Sequence, residues 1–209
     1  MTINATGSED AWQRQCLIEV TSDSTHIVRL HALTETVDID MGERELDKID
    51  LVNLGQLAKH GSVGITTITF EGYPQEAATE TTSTGDGFFD IFASAPLATG
   101  SQPADVDMSN TLTRYRVAVL WTEDTGADDA SDATATSKKA MRFVIGDCFC
   151  TSCKSSFTDG VLKQTLIFKG TSFSKSAGPL VKMESNDSSA SGGIPPLGAY
   201  TAGASPPWA

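Results

Sequence analysis

Apolar and polar residues alternate one by one through several short stretches of this chain, a period of two that suits strands and defeats amphipathic helices. In Thr111 to Thr122, Tyr115, Val117, Val119 and Trp121 fall on one face, while Arg114, Arg116 and Ala118 fall on the other. Within Val63 to Glu71, Ile68 and Phe70 oppose Thr67, Thr69 and Glu71. In Val161 to Gly170, Leu162, Leu166 and Phe168 alternate with Lys163, Thr165 and Lys169. Ile27 to Leu33, Gly87 to Ser94 and Ala140 to Thr151 are further stretches rich in β-branched or aromatic residues. Clusters of Gly, Asp, Ser and Thr separate them from about Glu19 to about Lys182. The expectation is an all-β (mainly β) fold whose strands have one core face and one face that is wet or partnered. Glu43 to His60 carries two periods: Leu46, Ile49, Asn53 and Leu57 suit a helix face, and Ile49 and Leu51 suit a strand. Gly55 weighs against a continuous helix by about 1 kcal/mol, so strand, turn, strand is expected.

The 209 residues suffice for one domain with a sizeable core. The expected layout is a domain over residues 1–184, with an N-terminal arm (1–11) and exposed polar loops at 76–86 and 123–137. An extended C-terminal arm follows over 185–209. That arm is rich in Ser, Gly, Pro and Ala; its prolines forbid a regular helix or central strand, and it cannot form a core of its own. Ile194, Leu197, Tyr200 and Trp208 are the side chains able to anchor it, and the expectation is an inter-subunit strap built on them. No internal repeat at a fixed period is present.

Charge excludes whole classes of partner. With 27 Asp and Glu against 15 Lys and Arg, the net charge is −12, and the longest basic run is Lys138-Lys139. Such a surface repels phosphate backbones and anionic membranes. There is no apolar run of about eighteen residues and no basic-then-apolar start, so neither a membrane span nor Sec export is expected. The acidity suits a salt-rich cytoplasm and equally suits ordinary acidic structural proteins.

Cys148, Cys150 and Cys153 are the sharpest chemical signal, three thiols within six residues. They are weak candidates for a soft metal, needing Cys16 or a histidine as fourth ligand; a disulfide and small buried hydrophobes are the other readings. A C-x-C pair on one strand face closes a metal ring poorly and no second C-x2-C knuckle exists, which favours buried thiols in a reducing cytoplasm. His26, His31 and His60 form no ligand motif. Two carboxylate groups, Asp38, Asp40, Glu43, Glu45, Asp47 and Asp50, then Glu123, Asp124, Asp128, Asp129 and Asp132, lack the calcium-loop spacing and read as solvated loops. No phosphate-cradling, dinucleotide, nucleophile-elbow or zinc-protease motif occurs. No catalytic residue, cofactor or enzymatic activity is therefore expected.

Two stretches resemble the major tail tube proteins of siphovirus-type bacterial and archaeal viruses. The first is Val37 to Ala77, an acidic strand, a turn region and the ending TITFEGYP. The second is Thr113 to Ser185: TRYRVAVLWTED, an acidic insertion, KKAMRFVIGDCFCTSCKSSFTDGVLKQTLIFKG and a closing VKMES, with the turn phrase Ser156-Phe157-Thr158-Asp159-Gly160. The cysteines depart from that family's pattern. The resemblance implies a β-sandwich or barrel-like subunit with at most one flanking helix, closing into hexameric rings that stack into a tube. It implies a virion (tail) protein assembled in the host cytoplasm. Its partners would be itself and other virion tail proteins, with genomic DNA passing through the lumen without specific binding. Another ring-forming tail protein, a terminator or connector, and a non-viral β-sandwich binding module share these features.

Overall fold

A computed structural model describes residues 15–23, 26–31, 36–43, 46–50, 56–60, 64–72, 84–85, 113–131, 133–135, 137–174, 178–187 and 193–203. The fold is mainly β, as the alternation requires. In chain order the strands are β1 (Gln15–Asp23), β2 (His26–His31), β3 (Asp38–Asp40), β4 (Leu46–Asp50), β5 (Gln56–His60), β6 (Ile65–Gly72) and β7 (Thr84–Gly85). Then come β8 (Arg114–Thr122), β9 (Lys139–Thr158), β10 (Val161–Thr171), β11 (Phe173–Ser174), β12 (Gly178–Pro179) and β13 (Val181–Asp187). Among the described residues no helix is long and apolar enough to cross a membrane.

Nine strands make one sheet, ordered β3-β6-β10-β9-β8-β1-β2-β7, with β13 also on β9. Its ladders are antiparallel apart from the short β2–β7 pair. β9 is its spine. One edge of β9 carries β8, from Thr122 opposite Ala140 to Arg114 opposite Phe149. The other edge is shared: β13 takes Lys139 to Ile145, and β10 takes Cys148 to Thr158. The break between the two neighbours falls at Gly146-Asp147, where a bulge separates the Tyr115–Cys148 and Val117–Ile145 pairs. Asp147 takes a left-handed φ of 56°, and the Gly146 N–H is diverted to the Leu180 carbonyl at 2.8 Å.

The first core lies on one face of the curled sheet. Ile18 and Val20 of β1, Val117 and Val119 of β8, Phe143 and Ile145 of β9, Leu166 and Phe168 of β10, and Ile68 and Phe70 of β6 pack as one cluster. Phe168 stacks on Phe70 at 5.8 Å and meets Tyr115 edge-on at 5.6 Å.

The second face of Thr111 to Thr122, expected to be wet or partnered, is covered by the chain itself. Arg116, Ala118 and Leu120 are all buried, because Ala127, Ala130 and Ala133 and the segment 193–203 lie over that side. Ala127, Ala130 and Ala133 make a second core with Leu17, Ala118, Leu120, Val144 and Ile194, so the 123–137 loop is not simply exposed. Small side chains are what let irregular backbone lie this close to a sheet.

In Glu43 to His60 the two expected strands are present: β4 and β5 pair antiparallel from Leu46 opposite His60 to Asp50 opposite Gln56, and residues 51–55 between them lie outside the described residues. The chain enters and leaves this hairpin through a narrow neck. A Cβ on Gly42 would meet the Ile65 carbonyl at 2.7 Å, and one on Gly64 the Glu43 carbonyl at 2.7 Å. Gly87 to Ser94 lies outside the described residues.

Phe168 is fully buried, whereas Phe157 on the same hairpin is 73 % exposed. Replacing Phe168 by Ala should therefore destabilise the subunit by about 3–5 kcal/mol, and Phe157→Ala by under about 0.5 kcal/mol, read from urea midpoints.

Candidate assembly surface

The ribbon formed by the far ends of β9 and β10 outruns the rest of the sheet. β8 stops pairing with β9 at Phe149, and β6 stops pairing with β10 at Gln164. From Thr151 to Thr158 on one side, and Val161 to Lys163 on the other, no described strand covers the outer edges. The open edge of β9 runs for eight residues, about 25 Å, but β10 keeps β6 as a neighbour up to Gln164, opposite Ser155, so the tip that is two-stranded only is Ser156 to Thr158 with Val161 to Lys163, about 10 Å long. The tip turns through Asp159 and Gly160, with φ values of 55° and 76°, the left-handed pair that a two-residue hairpin turn demands.

A second bulge decides which side chains line this ribbon. Phe168 pairs with Cys150 and Ile167 with Ser152, so Thr151 is the extra residue. Cys153, opposite Leu166, is thereby returned to the core-facing side, and Phe157 opposite Leu162 continues the row outward. The face that is core beneath the sheet is bare at the tip, where Phe157 and Leu162 are exposed, and Val161 is exposed on the other face. Lys154 and Lys163 belong to the opposite face.

The second built feature is the clamp on the C-terminal segment. Arg116 and Arg142 are 2 % and 1 % exposed, on the face of β8 and β9 away from the first core. Arg116 pairs with Glu19 at 3.2 Å and Arg142 with Glu184 at 2.6 Å. Each also donates to the segment's backbone: Arg116 Nη1 to the Gly198 carbonyl at 2.6 Å, and Arg142 Nη2 to the Pro195 carbonyl at 2.7 Å. The Ile194 N–H reaches the Ala133 carbonyl at 2.9 Å. Asp147, aimed by its bulge, accepts from the Tyr200 hydroxyl at 2.9 Å and the Gly203 N–H at 3.1 Å. Burial depresses the Arg116 pKa against the pull of Glu19, and among the described residues its Nε finds no partner.

Of the anchors named from sequence, Ile194 and Tyr200 are buried and Leu197 half-buried against their own chain, while Trp208 lies outside the described residues. The strand preceding them continues to Asp187. Sequence reading missed β1, Arg116 and Arg142 as parts of this clamp; two arginines inside otherwise apolar strands were the available signal.

The cysteines do not gather round a common centre. Cys16 and Cys148 are buried, Cys150 is half-buried and Cys153 exposed, all as free thiols. The Cys148 thiol donates to the Tyr115 carbonyl at 3.2 Å. Among the described residues no group of three or more His, Cys, Asp or Glu could hold a metal ion. Burial pushes the thiols of Cys16 and Cys150 up to about 12 and that of Cys153 to about 11, and that of Cys148 higher still. Several carboxylates instead cap turns: Asp40 accepts from the Gly42 N–H, Asp124 from Gly126 and Asp129 from Ser131. The side chains of His26, His31 and His60, and of Glu45, Asp47, Asp50 and Asp132, lie outside the described residues.

No family model matches the chain, and no curated protein matches it. Among solved structures it is similar to a chain of the sheath/tube terminator of an extracellular contractile injection system, PVC, in the extended state (15% identity, TM-score 0.43, 82% of this chain and 94% of that one). A chain of the sheath-tube complex of the same system matches at 15% identity and TM-score 0.43, over 81% and 88%. The cap of the anti-feeding prophage tube matches at 9% identity and TM-score 0.43, over 88% and 95%. These scores fall short of a shared fold, and the functional reading stands on the chain's own geometry.

Two measurements follow from this chemistry. Thiol titration of the native protein with a disulfide reagent should label Cys153 first and slowly, since little thiolate exists at neutral pH, with Cys16 and Cys148 reacting only in denaturant. Stoichiometric zinc in the native protein would contradict the reading of inert thiols. Burial alone would raise the Glu184 carboxyl, but hydrogen bonds from Lys182 and Arg142, with their charges, outweigh it and hold the pKa below its ordinary value. A depressed folded pKa adds stability above the unfolded value and loses it as pH falls through the folded one. Glu184→Gln should thus destabilise the protein at neutral pH and flatten the decline in urea midpoint from about pH 6 to about pH 2.

Proposed function

We propose that the chain is a non-enzymatic structural subunit of a viral tail tube, joining copies of itself into hexameric rings that stack. The observation that carries this reading is the β9–β10 ribbon, a two-stranded extension with an uncovered edge and a bare apolar tip. No described strand covers the outer edge of β9 from Thr151 to Thr158, and an open edge of this length templates pairing with another strand. Phe157, Val161 and Leu162 are large apolar groups whose exposure gains nothing in a lone subunit and gains burial in an assembly. The likeness of Val37 to Ala77 and Thr113 to Ser185 to tail tube proteins gives the assembly its form. The tube's work is then geometric: it encloses a passage for genomic DNA, and a net charge of −12 leaves little affinity for phosphate along the way.

Negative-stain microscopy of the purified chain should show rings or tubes. Phe157→Asp should abolish them while leaving a cooperative thermal transition. Rings that never stack would point to a terminator, and a monomer at every concentration would end the tube reading.

A further inference from the structure

The C-terminal segment is bound as a ligand is bound. Residues 193–203 form no ladder with the sheet; they are held by discrete backbone hydrogen bonds to Arg116, Arg142, Asp147 and Ala133 and by the burial of Ile194 and Tyr200. Arg116 also lies over the Tyr200 ring at 5.8 Å. Gly193 passes so close to the 123–137 loop that a Cβ there would run into the Thr134 carbonyl. Side-chain pocket, guanidinium donors, the Ala133 carbonyl and close approach together make a specific groove for an extended Ile-Pro-Pro-Leu-Gly-Ala-Tyr segment.

Two properties of this groove bear on assembly. First, it cannot stand empty cheaply. Withdrawing the segment strips the Gly198 and Pro195 carbonyls from two buried guanidiniums and opens the alanine-lined second core to water. Second, nothing in the contacts depends on the segment belonging to the same chain. In sequence it follows β13 after five residues, Ser-Ser-Ala-Ser-Gly (188–192). A segment from a neighbour makes the same hydrogen bonds and buries the same side chains, so exchange is close to neutral in contacts and is decided by local concentration.

We propose that this groove is an exchange site, filled by the chain's own residues 193–203 in the free subunit and by those of a second copy in the assembly. The inference deepens the assembly reading and rests on it for the presence of that second copy. The partner is identified by chemistry: an extended, proline-stiffened segment with a branched aliphatic side chain and, six residues on, an aromatic hydroxyl. Prolines reduce the ordering cost of such a strap in either position.

The test uses the full-length chain and a fluorescein-labelled synthetic peptide of residues 188–209. Gly193→Ala combined with Ile194→Asp unseats the resident segment without altering the groove. Fluorescence anisotropy should show saturable one-to-one binding of the peptide to this variant, tighter by about 100-fold or more than to the unmodified chain, whose own segment competes at high effective concentration. Equal binding to both, or none to the variant, overturns the proposal. If the variant lacks a cooperative melt, the unmodified chain decides: incubated with excess peptide just below its melting temperature and cooled, it should trap the peptide, and failure to do so overturns the proposal. Peptide capture needs no ring, so its outcome is separable from microscopy. Capture without rings sinks the tube reading and spares the groove, whereas rings without capture sink exchange alone.

Discussion

Two guanidiniums held out of water set the terms for this structure. A buried arginine is tolerable only when its charge is paired and its donors are used. Glu19 and Glu184 supply the charge, from β1 and β13, which lie on opposite sides of the β8–β9 pair. Carbonyls of the C-terminal segment and of Ala130 take up most of the remaining donors, the Arg116 Nε excepted. One requirement thus ties the two flanking strands, the polar loop and the C-terminus to the centre of the sheet. It also explains why a segment with no propensity for regular structure has a defined path.

The backbone irregularities serve the same arrangement. The Gly146-Asp147 bulge ends the β13 ladder and starts the β10 ladder, and it points the Asp147 carboxylate at Tyr200, Gly203 and Arg114. Because Asp147 adopts a left-handed φ, the local conformation is held by these contacts rather than by propensity. The second bulge, at Thr151, sets which residues continue the apolar row into the ribbon.

Much of the fold was legible where one strand face is buried and the other is not. β6, β10 and the first-core face of β8 show clean alternation, and the structure has them as strands. β1 escaped because Cys16, Leu17, Ile18 and Val20 are buried on both faces, which erases the period-two signal and leaves a short apolar run. The cover on the second face of β8 was not legible for a related reason: it comes from alanines in a loop and from a proline-rich segment, and neither composition announces packing. The bulges leave no periodic trace, so the side of the ribbon on which Cys153 lies was beyond pattern reading. Ile194, Leu197 and Tyr200 were named as anchors toward a neighbour and pack here against their own chain; the groove that receives Ile194 and Tyr200 was not legible, since it exists only once distant segments meet.

The length of β9 has a mechanical meaning. A single strand of 20 residues runs from the ribbon to the buried arginine clamp, hydrogen-bonded along its course to β8, β13 and β10. A force along its axis is met as shear, with many ladder bonds strained together, whereas a force that peels an edge breaks them one at a time. A subunit pulled by its neighbours through the ribbon would pass tension straight into the most densely bonded part of the molecule. Stiffness along the strand direction, with compliance across it, is built into this connectivity.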